Sequence, residues 1–424
     1  MPQNKATYNI ICFSNQLWDF PNWTNKRHVM GRLAEQGHTV LFVDPPINCG
    51  KVFLRQILRG HWGLKRLLFQ TKKDPCGTII FTPVSVLPFK QISAKIHATR
   101  IKKLAQKIFA PQQELFAQQN SPKPKQETPR QNSLNSQQKT LMWAYHVEID
   151  YLPIYLDSIH HDFLIYDCVD NYEGFPGNDT EEKKAAVRAK EKYLATRANV
   201  VFATAPGLVD KLKQHNKNVY FTPNVGDFDK FYDVVRKIKD IPSELEVIPR
   251  PRVGFAGALD EYKFDIDLMS LIAEKNPHIS FVLIGQNALK DKDVSLSKTG
   301  LEQFKNIYFL GQKPYEILEK YYAGFDGYII PYKLNEYTVG GCFPVKFHDA
   351  LAAGLPVVVT DLPAYLPFKA VSYICKTDVE FALAVQKSLL ENDASKIKER
   401  QKVAKENNWN GKVAQMLDII EQHL

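Results

Sequence analysis

Residues 8–14, YNIICFS, place Ile10, Ile11, Cys12 and Phe13 in an uninterrupted apolar run with no charge, as expected of a strand covered on both faces. Residues 25–37, NKRHVMGRLAEQG, change the period. Val29, Leu33 and Gln36 fall near one face of a helix, and Gly37 suits the left-handed position just past its end. Residues 39–46, TVLFVDPP, are a second strand, stopped by two prolines that have no N–H for a ladder. Strand, helix and strand in that order make a parallel pair joined by a helical crossover, so the chain opens on an α/β sheet.

The same alternation continues outward. TLMWAYHV, FLIYDCVD, VVFATA and VYFTP are further strands, with a helix over 181–197 between the second and third. Residues 223–231, PNVGDFDKF, close this first unit. A second begins at RVGFAGAL and continues through the strands ISFVLIG, IYFLG, YIIPY, PVVVT and SYICK, with helices over 378–422. A chain of 424 residues exceeds one ordinary core. The expected architecture is two Rossmann-like α/β domains facing a cleft, with C-terminal helices. The first spans 1–225, the linker 226–250 and the second 251–424. Residues 111–139, rich in Gln, Asn, Ser and Pro, read as a flexible insert in the first domain, with too few apolar groups to offset ordering.

Composition narrows the setting. With 44% hydrophobic and 24% charged residues the chain reads as globular. No apolar run approaches the roughly 20 residues that span a bilayer. The first residues lack a signal-peptide core, so a cytoplasmic protein is expected. Six scattered cysteines form no CxxC pair and no Cys/His ligand spacing, so no metal is expected. The net charge of +9 is concentrated: residues 51–110 hold 13 lysines and arginines against one acid, Asp74. Stretches 51–69 and 91–109 mix these cations with aliphatic residues, which suits an anionic membrane surface at the inner face of the plasma membrane. Nucleic acid is disfavoured as a partner, because no recognised module is present and stacking aromatics do not interleave with the cations.

The densest chemical signal is residues 331–361, PYKLNEYTVGGCFPVKFHDALAAGLPVVVTD. Gly340 and Gly341 loosen a loop, Pro344 starts a helix, and Lys346 and Asp349 share its face. A cation there meets phosphate, and a carboxylate accepts from ribose hydroxyls. After the strand RVGFA, Gly257 offers bare backbone to a phosphate, with Leu259 and Lys263 beyond it. The GxGxxG fingerprint is absent from both domain openings, which argues against a nicotinamide enzyme.

With Pro344, Lys346, Asp349, Gly354, Pro356, Val357 and Val358 the stretch resembles the nucleotide-sugar signature of bacterial group 1 (family 4-like) glycosyltransferases of GT-B fold. Gly257–Lys263 resembles their glycine loop and phosphate lysine. The segments SNQLWDFPNWTNKRH and IYDCVDNYEGFPG resemble enzymes of surface-polysaccharide and teichuronic-acid assembly. The resemblance implies transfer of a sugar from a UDP- or GDP-linked donor to a lipid-linked or oligosaccharide acceptor, without metal or other cofactor. It implies donor contacts by Gly257, Leu259, Lys263, Asn335, Glu336, Pro344, Val345, Lys346 and Asp349. Three departures stand out: the ribose-binding Glu is Asp349, an earlier Glu falls on Gly341 with Glu336 as its substitute, and the loop Arg is Ala258. The missing carboxylate at Gly341 also fits a rival reading, a catalytically inactive scaffold subunit of a polysaccharide assembly complex.

An inverting transfer needs a base to deprotonate the acceptor hydroxyl, and its candidates are Asp170, His28 and Asp19, with Asp167 beside them; a retaining transfer needs no such base. Asp170 leads, because it sits just past a strand's carboxyl end, where α/β sites lie. Three D-x-D strings, Asp227/Asp229, Asp265/Asp267 and Asp291/Asp293, sit in linker or helix-start positions and read as caps rather than metal ligands.

Overall fold

The structure, a computed structural model, describes residues 6–20, 23–48, 70–85, 90–110, 138–149, 151–288, 299–341, 343 and 345–424. Stretch 51–69, Pro344, Asp291 and Asp293, and nearly all of the 111–139 insert therefore lie outside the described residues.

Two parallel sheets dominate. The first has eight strands in the order Val219–Phe221, Val200–Ala203, Phe163–Cys168, Thr140–Ala144, Asn9–Phe13, Thr39–Val43, Ile79–Phe81 and Thr71–Lys73. Only its edge strand Thr71–Lys73 pairs antiparallel. The second has six, ordered Ile307–Gly311, Ser280–Ile284, Arg252–Ala256, Gly327–Ile330, Val357–Thr360 and Tyr373–Cys375, all parallel. The sheet centres are as apolar as the sequence requires: Asn9–Phe13 and Arg252–Ala256 are buried at every position.

In each sheet the first strand lies between neighbours on opposite sides. Asn9–Phe13 pairs with Thr39–Val43 and with Thr140–Ala144. Arg252–Ala256 pairs with Ser280–Ile284 and with Gly327–Ile330. Chain direction around the sheet reverses at these strands, so each leaves a crevice beyond its carboxyl end, the usual ligand position in open α/β sheets. The two crevices open into one cleft.

Helices cover both sheets. Asn25–Glu35 buries Val29, Met30 and Leu33, and Gly37 follows at φ 94°. Glu181–Arg197 starts where Thr180 accepts the Lys183 N–H. Lys90–Phe109 turns Ala94, Ala98, Ile101 and Ala105 inward and its cations outward. The last helix, Trp409–His423, departs from the division at residue 251. Its Trp409, Val413, Met416 and Ile420 pack with Ile10, Val29 and Trp143 of the first domain. The chain thus returns to the domain it began in and straps the two together.

Candidate active site

Between the domains lies a cavity of about 710 Å³. On its C-terminal wall, strand Arg252–Ala256 ends at Gly257, whose N–H donates to the Ile284 carbonyl at 2.8 Å. Gly257 has φ 155° and Gly285 φ 147°, and Gly285 also meets fixed backbone, whereas a side chain on Gly257 would displace the Lys346 ammonium. A Cβ on Gly285 would stand 1.9 Å from the Gly257 carbonyl oxygen, and one on Gly257 would stand 2.0 Å from Lys346 Nζ. The Lys346 ammonium therefore rests on bare backbone. It donates to the Tyr332 hydroxyl at 2.8 Å and lies 4.4 Å from the Phe255 ring centre. Lys263 sits nearby with Nζ 2.5 Å from Asp260 Oδ2. Burial works to lower the Lys263 pKa, but the field of Tyr332, Asp260 and Tyr262 outweighs it and keeps the ammonium charged.

Helix Lys346–Ala353 supplies Asp349 one turn after Lys346 and ends at Gly354, φ 84°. Asp349 is buried, and its Oδ1 accepts the Asp227 N–H at 2.8 Å. Burial pushes its carboxyl up to about 8. Gly226 lets the linker lie against this helix: a Cβ there would meet the His348 Cβ at 2.7 Å.

Asp170 faces these groups from the first domain, just beyond strand Phe163–Cys168. It accepts the Asn171 N–H at 3.1 Å and the hydroxyl of Tyr337, from the other domain, at 3.1 Å. Burial pushes it up to about 6, against the pull of the Tyr337 hydrogen bond and of Lys263 and Lys26. The carboxylate can therefore exchange a proton near neutral pH, as a base requires.

The remaining expected residues divide. Val345 lines the cavity, as does His28. His28, however, is stacked on Trp409 at 4.6 Å and shares a hydrogen bond with Arg32 at 3.1 Å. Burial and the charges of Arg32 and Arg27 hold its pKa well below the usual imidazole range, so it is neutral. Asp19 is placed away from the cavity lining, on the surface, with Oδ1 2.5 Å from Lys72 Nζ. Asp167 is fully buried, accepts from Trp143 Nε1 at 3.2 Å and does not line the cavity. Leu259 is buried in a short strand and is not part of the lining, which takes Asp260 instead. Asn335 turns inward to the Tyr262 carbonyl at 2.6 Å and caps the following helix through Thr338. Glu336 is largely exposed and bridges the domains to Lys184 at 3.1 Å, so it does not stand in for the carboxylate missing at Gly341. A Cβ on Gly341 would stand 3.0 Å from Asn171 Cβ across the domain boundary, so a side chain there needs Asn171 to give by a few tenths of an ångström.

Of the D-x-D strings, Asp265 accepts the Leu268 N–H at the start of helix Ile266–Lys275, the cap its position implies. Asp227 holds Arg32 and Tyr315 at 3.0 Å each. Among the described residues no group of three metal-ligating side chains converges. Residues the sequence reading missed also line the cavity: Lys26, Asp260, Gly285, Tyr332 and Tyr337. Gly285 carried a signal, a glycine ending the strand ISFVLIG as Gly257 ends RVGFA; the others carried none.

Two facing parallel-sheet domains around such a cleft define the GT-B class of fold. Residues 250–392 match the family described as Glycosyl transferases group 1, and the C-terminal domain belongs to that family. A protein named for teichuronic acid biosynthesis, the glycosyltransferase TuaH of Bacillus subtilis (strain 168), is 26% identical over 265 residues. The match spans 59% of this chain and 64% of that protein's length. Sucrose-phosphate synthase from Thermosynechococcus elongatus superposes with TM-score 0.66 at 14% identity, covering 98% of each chain. HepE of Anabaena, solved with UDP-glucose, superposes with TM-score 0.60 at 13% identity, covering 98% of this chain and 99% of that one. At such identities these likenesses are of fold.

Proposed function

We propose that the chain transfers a hexosyl group from a UDP- or GDP-linked donor to a lipid-linked or oligosaccharide acceptor in cell-surface polysaccharide assembly. The observation that carries this reading is the convergence of Gly257, Lys346, Lys263 and Asp349 on one wall of the cleft. Two ammonium groups and bare backbone suit a diphosphate, and a buried carboxylate suits the ribose hydroxyls. UDP-glucose in the HepE complex and the teichuronic acid name of TuaH support the donor class and the pathway class. No metal has a part, because the two lysines meet the charge of the leaving diphosphate.

Asp170, on the facing wall, takes the acceptor proton as the hydroxyl attacks the anomeric carbon and the bond to the diphosphate breaks. The basic outer face of helix Lys90–Phe109, with Ile92 and Ile96 exposed among its lysines, supports docking of the first domain on an anionic membrane. Among the described residues no helix is long and apolar enough to cross one.

The carboxylate missing at Gly341, which Glu336 does not replace, favours the rival reading, an inactive scaffold subunit. Incubation with UDP- and GDP-sugars separates the two. Release of UDP or GDP that depends on Asp170 is the result for a transferase; nucleotide binding without any turnover, with or without membrane acceptor fractions, is the result for a scaffold.

A further inference from the structure

Lys26 enters the chemistry above only through its pull on Asp170. It is the second residue of helix Asn25–Glu35, is only 8% exposed and lines the cleft. Among the described residues its ammonium makes no hydrogen bond and no ion pair, and its recorded contact is the Tyr145 ring at 5.7 Å. Asp170 and Asp167 act on it through space, and burial still lowers its pKa. An ammonium this far buried, whose compensation by Asp170 and Asp167 is only through space, is costly to hold at the edge of the cleft, and such a group persists where something else gains from it.

The helix that carries Lys26 repeats the message. It has no acid in its first turn, and Thr24 at its N-cap makes no capping bond. The Thr24 hydroxyl donates instead to Gln16 Oε1 at 2.8 Å. The positive end of the helix is thus left uncompensated, at the place where Thr24, Lys26 and His28 line the cleft. Among the described residues His28 Nε2, buried in the same wall, has no hydrogen-bond partner either.

We propose that Lys26 and the first turn of helix Asn25–Glu35 form a second anion subsite, which takes a phosphate or carboxylate group separate from the donor diphosphate. The inference rests on the donor placement above only in assigning the diphosphate to Lys263 and Lys346 on the opposite wall. The anion can belong to a phosphate of the acceptor or to the carboxylate of a uronic acid.

Calorimetric titration of inorganic phosphate into the full chain, with and without saturating UDP, tests it in wild type, Lys26→Met and Lys26→Gln. Phosphate should bind the UDP-saturated wild type. Both variants should lose that affinity by about tenfold or more, the scale of a hydrogen bond to a charged group, and keep UDP affinity within about twofold. Their melting temperatures should equal or exceed wild type, because an unpaired buried charge is gone. Displacement of phosphate by glucuronate but not by glucose assigns the subsite to a uronic acid, and indifference to both assigns it to phosphate. Unchanged phosphate affinity in both variants overturns the proposal. So does a parallel loss of UDP affinity, which puts Lys26 on the donor, or a fall in both melting temperatures, which makes it a structural counter-ion. If UDP does not bind wild type, GDP takes its place in the titrations; failure of both refutes the donor placement instead, and phosphate titration of the unliganded chain then still reads Lys26.

Discussion

Asp349 and Asp170 are carboxyl groups whose burial works against their ionised form, and each makes a distinct demand on pH. Asp349 has its folded pKa raised to about 8, against about 3.9 for an unfolded Asp. The folded chain therefore binds the extra proton, and stability falls as pH rises from the lower value through the upper one. Asp349→Asn keeps an oxygen for the Asp227 N–H and removes the charge. It should raise the melting temperature at pH 7–8, with the gain vanishing toward about pH 4, and should weaken UDP or GDP binding. An Asp349→Asn protein less stable than wild type at every pH would refute this. Asp170, pushed up to about 6, must be deprotonated to act as a base. Turnover should rise with pH through about 6 and level above it. Asp170→Asn should bind donor normally, lose at least about 100-fold in turnover and lose that limb of the profile. Near-normal turnover would move the role elsewhere.

Trp409 shows how much a single element holds. It is 1% exposed, stacks on His28 and anchors the helix that returns to the first domain. Trp409→Ala should cost about 3–5 kcal/mol, read as a drop in melting temperature or denaturant midpoint, with the two domains loosened together. A loss confined to about 1 kcal/mol would mean that this helix docks only superficially. The sequence announced helices over 378–422 but not the domain that the last of them covers, because helical character does not name the partner. The strands were legible for the opposite reason: runs such as NIICF and RVGFA can be satisfied only between covered faces. Gly257 and Lys346 were legible because a turn without a side chain and a lysine beside an acid are local demands. Glu336 misled, since a carboxylate at a helix start looks the same in sequence whether it faces a cleft or, as here, a lysine across it. Lys26 was silent, because lysines in a first helical turn are ordinarily solvated.

At the scale of the whole molecule the charge is divided between the two domains' tasks. Helix Lys90–Phe109 exposes Lys95, Lys102, Lys103 and Lys107 on the first domain's surface, while Lys263 and Lys346 are held inside the cleft of the second. Each cation near an anionic surface adds roughly 1 kcal/mol, so Lys95/Lys102/Lys103/Lys107→Glu should abolish sedimentation with anionic vesicles at low salt and leave donor binding intact. Equal recovery in the supernatant with anionic and neutral vesicles, for wild type, would remove the membrane from the account. The donor wall is the central claim, and a panel of UDP-, GDP- and ADP-sugars read by thermal shift tests it most directly, on wild type and Lys346→Ala. One nucleotide class should stabilise wild type by roughly 2.7 kcal/mol at 100 times its dissociation constant. Lys346→Ala should bind that nucleotide weaker by about 1.5–3 kcal/mol, the worth of a hydrogen bond to a charged group. No response to any nucleotide, or equal responses from both proteins, would contradict the account.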